Sequence, residues 1–225
     1  MPFDPQRVRA ICFDVDGTLS DTDDLWTANL ERVIRPLRFA LPGRDARSFA
    51  RRLIMAFETP GTIIYGIPDR LQMDAPLARI SNWLARHART PRHTFWLVPG
   101  VRETLQRLQP HYPMAVVSAR DERSTLAFLD QHDLRPFFSV VVTALSASHT
   151  KPYPDPIFYA AGRMGVAPDE CLMIGDTTVD IRAGRSAGAQ TIGVLCGFGE
   201  APELTRCGAD LLLNSTADLP QALGH

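Results

Sequence analysis

Two carboxylates, Asp14 and Asp16, follow the apolar run Ala10-Ile-Cys-Phe13 and are themselves followed by Gly17-Thr18. The β-branched and aromatic residues of that run read as a buried strand of a parallel sheet. Ligands of open α/β sheets bind beyond the carboxyl ends of the strands, so both acids fall at the mouth of a site. Their spacing in an extended chain puts the two side chains on one side. Such a pair, without a basic neighbour in sequence, calls for a cation. Two unit charges about 4 Å apart repel by roughly 4 kcal/mol at an effective dielectric near 20. A bare Asp-x-Asp also reads as a solvated turn, so the rest of the chain has to decide.

Three further groups fall at predicted strand ends or in a stiff loop. Ser118 ends the run Pro113-Met-Ala-Val-Val, where its hydroxyl can donate to a phosphoryl oxygen. Lys151 lies in Thr150-Lys-Pro-Tyr-Pro-Asp-Pro156 and is the only lysine among 24 basic residues. Three prolines can hold its ammonium in place, and an arginine cannot stand in for a compact ammonium. Asp176 ends the run Glu170-Cys-Leu-Met-Ile-Gly175, and Asp180 follows four residues on, in the first turn of the next predicted helix. Taken singly, each has an ordinary reading. Ser118 is a helix cap, Lys151 a solvated charge, and Asp180 a complement to the helix dipole.

The elements that must position these groups alternate between helix and strand after Pro99-Gly100. Helices are expected at Val101–Leu108, Glu122–His132 and Pro156–Met164, and from Asp176 to about Ala187. Strands are expected at 113–118, 138–143, 170–175, 189–194 and 209–213. That alternation predicts an α/β fold, a Rossmann-like parallel sheet with helices on both faces and right-handed crossovers. Between the first strand and this block the pattern is helical. Trp26, Leu30, Val33 and Leu37 share one helical face, Asp45 to Phe57 forms a second helix, and a third starts near Asp74. This block reads as a small all-α domain inserted after the first strand. The expected division is a core of 1–20 and 93–225 with an insertion of 21–92. Trp26, Trp83 and Trp96 read as core residues, with a substrate pocket as the other option.

The chain has 225 residues and a net charge of −1. No basic footprint points to nucleic acid or an anionic membrane, and no apolar run reaches the 18 residues of a membrane span. Cys12, Cys171, Cys196 and Cys207 are far apart and form no Cys-x-x-Cys. The expected compartment is the reducing cytoplasm.

The joint order of these groups is more specific than any one of them. Phe13-Asp-Val-Asp-Gly-Thr-Leu19, a strand ending in Ser118, Lys151 before Pro152, and Gly175-Asp-Thr-Thr-Val-Asp180 together resemble the four motifs of the haloacid dehalogenase superfamily. The layout is similar to its phosphoglycolate-phosphatase-like branch, in which the insertion is a helical cap. The resemblance implies a phosphatase acting on a small phosphorylated metabolite, phosphoglycolate by preference, as a monomer or homodimer. It makes Asp14 the nucleophile and Asp16 the acid/base. Ser118, Ala119, Arg120 and Lys151 would bind substrate. Mg²⁺ would be held by Asp14, the Asp16 carbonyl, Asp176 and Asp180, the last directly or through water. Arg44, Arg51, Arg52, Thr62 and Arg70, and Arg120 just past Ser118, are candidates to touch the leaving group, over which the cap would close. A dehalogenase proper would lack Asp16, and a phosphonate-cleaving relative needs a cap lysine that is missing here. A sugar-phosphate mutase shares the four motifs and stays open. A receiver module carries its acid pair and phosphorylated Asp on different strands, and the intact motif set speaks against a catalytically silent binding protein.

Overall fold

The computed structural model describes residues 3–21 and 95–225. The helices expected between Thr22 and Arg92, with Trp26, Trp83, Arg44, Arg51, Arg52, Thr62 and Arg70, lie outside the described residues. By packing, the chain divides into two compact units, Met1–Trp26 with Phe95–His225, and Thr27–Thr94.

Six strands form one parallel sheet: β1 (Ala10–Phe13), β2 (Met114–Val117), β3 (Val140–Val142), β4 (Cys171–Gly175), β5 (Gln190–Val194) and β6 (Leu211–Leu213). Their spatial order is β3-β2-β1-β4-β5-β6. The chain builds outward from β1 to β3, then returns to the other side of β1 for β4, so the topology switches between β1 and β4. All residues of β1, β2, β4 and β5 are buried, as strands covered on both faces must be.

The two-residue period of a strand divides these apolar runs between two cores. Ile11, Phe13, Met114, Val116, Leu172 and Ile174 belong to one core. Ala10, Cys12, Ala115, Val117, Cys171 and Met173 belong to the other. Helices α1 (Val101–Leu108) and α2 (Glu122–Gln131) put Leu105, Leu108, Phe128 and Leu129 into the first core. Helices α3 (Asp155–Met164) and α4 (Thr178–Ser186) put Ile157, Ala160 and Ala183 into the second. Full burial of Ile11 and Phe13 is worth about 1.5–3 kcal/mol each, which anchors the strand that ends at the acid pair. Cys12 and Cys171 are buried free thiols on neighbouring strands.

Two short helices were not predicted. Helix α5 (Ala201–Cys207) follows β5, and α6 (Leu219–Ala222) is a single turn near the C-terminus. Trp96 departs from the core reading: it is 58% exposed. Among the described residues, no helix is long and apolar enough to cross a membrane.

Candidate active site

Strand register brings the predicted residues to one edge. Phe13 pairs with Val116 on β2 and with Ile174 on β4. Asp14, Ser118 and Asp176 are the residues that immediately follow β1, β2 and β4. Asp14 N–H donates to Ile174 O at 2.9 Å, and Ser118 N–H donates to Val142 O at 2.9 Å, so the backbone of each is fixed by the sheet. The chain then folds back on itself. Gly17 sits at φ 69°, a left-handed conformation that favours glycine, and the Ser20 N–H reaches Val15 O at 2.7 Å.

Lys151 is 4% exposed, so the solvated-charge reading fails. Its Nζ donates to Asp14 Oδ1 at 2.5 Å and to Asp180 Oδ1 at 2.6 Å. Burial works against the ammonium, but the two carboxylates outweigh it and hold the Lys151 pKa above its ordinary value. The same burial pushes the Asp14 carboxyl up to about 7, with Lys151 pulling it down and Asp180 and Asp16 pushing it up. Asp180 does more than complement a dipole. Its Oδ2 accepts from Thr177 N at 3.1 Å and Thr177 Oγ1 at 2.7 Å, closing the first turn of α4, while Oδ1 holds the lysine.

Asp176 is fully buried, and the loop after β5 is shaped around it. Phe198 N–H donates to Oδ2 at 2.7 Å, and the Thr18 hydroxyl stands 3.5 Å from Oδ1. A Cβ on Gly197 would lie 2.2 Å from Asp176 Oδ2 and 2.6 Å from Gly17 O, so only glycine fits that approach. The carboxylates of Asp14, Asp176 and Asp180 each offer an oxygen within 4.8 Å of the others. One ammonium faces three buried carboxylates, a local excess of negative charge when all are ionised. An all-oxygen set with that charge suits a hard divalent cation.

Asp16 lies apart from that cluster's ammonium and has a cation of its own. Arg120 grips it with both edges of a fork: Nε donates to Oδ2 at 2.6 Å and Nη2 donates to Oδ1. The acid pair therefore lacks a basic neighbour only in sequence. The Phe95 ring lies under the Arg120 guanidinium, 5.2 Å from Cζ. Ser118 is buried, and its Oγ accepts from Arg120 N at 3.1 Å. It does not cap α2. Asp121 does so, accepting from Ser124 N at 3.0 Å. An accepting Ser118 Oγ keeps its O–H for another partner. Ala119 is exposed.

Sequence reasoning missed the Asp16–Arg120 pair, the Phe95 ring beneath it, and the Gly197-Phe198 turn around Asp176. A Cys-Gly-Phe-Gly turn directly after a strand was the one local sign of the last.

The chain is similar to known proteins along nearly its whole length. The profile of the haloacid dehalogenase-like hydrolase family matches residues 11–194. The phosphoglycolate phosphatase of Shigella boydii serotype 4 is 28% identical over 238 residues, covering 97% of this chain and 94% of the relative. The pyrophosphatase PpaX of Bacillus velezensis is 30% identical over 220 residues, covering 97% of this chain and 98% of its own. The crystal structure of a hydrolase from Pseudomonas syringae superposes with a TM-score of 0.70 at 25% identity, covering 96% of this chain and 98% of that one. With the profile spanning every strand from β1 to β5 and both relatives matched nearly end to end, the chain belongs to the haloacid dehalogenase-like hydrolases and is a phosphatase.

Proposed function

We propose that this phosphatase hydrolyses a small phosphorylated metabolite, a phosphoglycolate-like phosphomonoester, with Mg²⁺ and through an aspartyl-phosphate on Asp14. The observation that carries the reading is the buried Lys151 ammonium, shared between Asp14 and Asp180 beside Asp176. An ammonium with two of its three donors on carboxylates has a third N–H for a phosphoryl oxygen. The Ser118 hydroxyl is the second donor to that group.

The Asp14 carboxylate attacks phosphorus, and the bond from phosphorus to the leaving-group oxygen breaks. Asp16 gives that oxygen a proton. A water then attacks the aspartyl-phosphate, passing its proton to Asp16, and the bond between phosphorus and Asp14 breaks to release inorganic phosphate. Covalent catalysis thus divides one hard displacement into two easier ones. Asp14, Asp176, Asp180 and the Asp16 carbonyl would hold Mg²⁺. Bound there, the ion lets an anionic carboxylate approach an anionic phosphate and orients both.

The domain division that goes with this reading is a catalytic core of 1–20 and 93–225 and an inserted helical cap of 21–92. Bacterial relatives and four cysteines that form no disulfide support a cytoplasmic enzyme; the reading takes it as a monomer or homodimer acting on a small metabolite. Phosphate release across a panel of phosphorylated metabolites tests the substrate class. Asp14→Asn should release none and take no covalent label. An Asp14→Asn protein turning over at the wild-type rate would remove the covalent step, and phosphoryl transfer between sugar positions without phosphate release would replace hydrolysis by a mutase reaction.

A further inference from the structure

Arg120 has five N–H donors, and the structure accounts for only part of them. Nε and Nη2 grip Asp16, while Nη1 is shut off from solvent with no acceptor. It is the only buried side-chain nitrogen or oxygen among the described residues in that position. A donor left so costs about 1–3 kcal/mol, and more when it is charged. The guanidinium is also held in place from below and behind. The Phe95 ring lies 5.2 Å from Cζ, and the Arg120 backbone N–H is tied to Ser118 Oγ at 3.1 Å. The pair is not sealed, since 31% of the Asp16 side chain and 16% of that of Arg120 remain exposed.

We propose that Nη1 of Arg120 binds an anionic group carried by the leaving group, so that one side chain positions both the acid/base and the part of the substrate it must protonate. The inference rests on the proposed phosphatase reading, in which Asp16 faces the leaving-group oxygen. Any side chain that holds both oxygens of Asp16 is therefore on the leaving-group side of phosphorus. The transferred phosphoryl group is served by Lys151 on the other side, at Asp14. A guanidinium suits the task because its rigid fork can grip one carboxylate while a further nitrogen meets a second anion, which a single ammonium cannot do with fixed geometry. The substrate class that follows is a phosphate ester whose alcohol bears a carboxylate or phosphate within a few bonds of the ester oxygen. Arg120 is then a positioning residue toward Asp16 and a specificity residue toward the substrate.

The test compares phosphoglycolate with ethyl phosphate, which has the same two-carbon leaving group without the carboxylate. Steady-state kinetics in Mg²⁺ are measured for the wild type, Arg120→Gln and Arg120→Lys. The wild type should prefer phosphoglycolate in kcat/KM. In Arg120→Gln that preference should shrink about tenfold to a hundredfold, the worth of one hydrogen bond to a charged group. The change should sit in KM for phosphoglycolate, with KM for ethyl phosphate unmoved. The kcat should fall for both esters, because Asp16 loses the two-pronged grip of Arg120. Arg120→Lys should recover KM for phosphoglycolate in part and kcat hardly at all. A preference unchanged in both variants, with phosphatase activity retained, would overturn this inference and leave the phosphatase reading standing. A wild type that releases phosphate from neither ester nor from any phosphorylated metabolite would remove both.

Discussion

Replacing Lys151 by methionine keeps an unbranched apolar stem out to Cε and removes the ammonium. Asp14 and Asp180 are then buried side by side without the cation they share at 2.5 and 2.6 Å. Removing one partner of a buried ion pair costs about 3–5 kcal/mol, because the other is left charged in low dielectric. A buried carboxylate can escape that cost by taking up a proton. Asp14, already pushed up to about 7 by burial, is the one that does so. In the metal-free protein the loss should therefore lie near the low end at pH 6 and near the high end at pH 8. In a chain of 225 residues, where 1 kcal/mol shifts Tm by about 2–4 °C, this is a fall of about 6–20 °C. Adding Asp180→Asn removes one of the stranded charges and should restore most of the stability. It should not restore turnover. A lost electrostatic donor at such a site is worth about 3–4 kcal/mol of barrier, so kcat should fall at least about a hundredfold in both the single and double variants. Thermal melts in chelator at the two pH values, with phosphate release measured in parallel, check each part. A single variant melting within about 2 °C of wild type and turning over at a near-normal rate would refute the account of Lys151 as the site's buried counter-charge.

Metal removal should silence the enzyme, and Mg²⁺ should restore it while Ca²⁺ restores little, since calcium takes more ligands at longer distances than magnesium's octahedron; full activity in excess chelator, with metal analysis showing none bound, would contradict this. Gly197→Ala drives a methyl against Asp176 Oδ2, 2.2 Å away, and should raise the Mg²⁺ concentration for half-maximal activity about tenfold to a hundredfold. An unchanged Mg²⁺ titration would show that the turn plays no part in placing Asp176. Asp121→Ala should lower stability by about 0.5–2 kcal/mol at pH 7 through loss of the α2 cap. The hydrogen bond from the Ser124 side chain holds the Asp121 pKa below its ordinary 3.8, so the contribution is present above that value and fades as pH falls through the folded one. Urea unfolding of mutant and wild type should accordingly differ at pH 7 and draw together as pH falls below 3.8; a gap that stays constant down the acid range would assign the effect to something other than the carboxylate.

What the sequence made legible was whatever a strand end determines. A buried strand has an unmistakable apolar run, and the residue after it is fixed at the sheet's edge by ladder hydrogen bonds. Asp14, Ser118 and Asp176 could therefore be placed together without knowing the strand order. What stayed hidden depended on side chains meeting across long separations. Arg120 reaches Asp16 from 104 residues away, and nothing local to either residue says so. Lys151 taken alone reads as a solvated charge, and only its place in the four-motif order assigns it to the site, where carboxylates from two other elements hold it buried. Ser118 taken alone also reads as a cap, and what its neighbourhood did not decide is that the Asp121 carboxylate, three residues nearer the helix, takes that role and leaves Ser118 to the site. Helix α5 was missed although Glu200-Ala-Pro-Glu203 is a reasonable helix start, with Pro202 in the first turn and the Glu203 side chain accepting from Glu200 N at 2.8 Å. Its seven residues are too few for a periodic apolar face to show.

The distribution of the two cations follows from their shapes. Lys151 must sit between two carboxylates that approach it from different elements, one after β1 and one in α4. A compact ammonium with freely turning donors can meet both at 2.5–2.6 Å. A planar guanidinium in that space would have to align with one acid and lose the other. Arg120 has the opposite task, since it holds both oxygens of a single carboxylate at a half-open edge, which a fork does and a point charge does not. The chain uses arginine for every other basic position, so the one lysine stands where arginine's geometry fails. The same reasoning separates the two acids. Asp14 shares its cation with Asp180 and clusters with Asp176, where a divalent ion can complete the charge. The Asp16 carboxylate is gripped by a side chain rooted in the Ser118 turn and is not one of the three clustered carboxylates. That separation would let two aspartates only two residues apart take the different parts that the proposed reaction gives them.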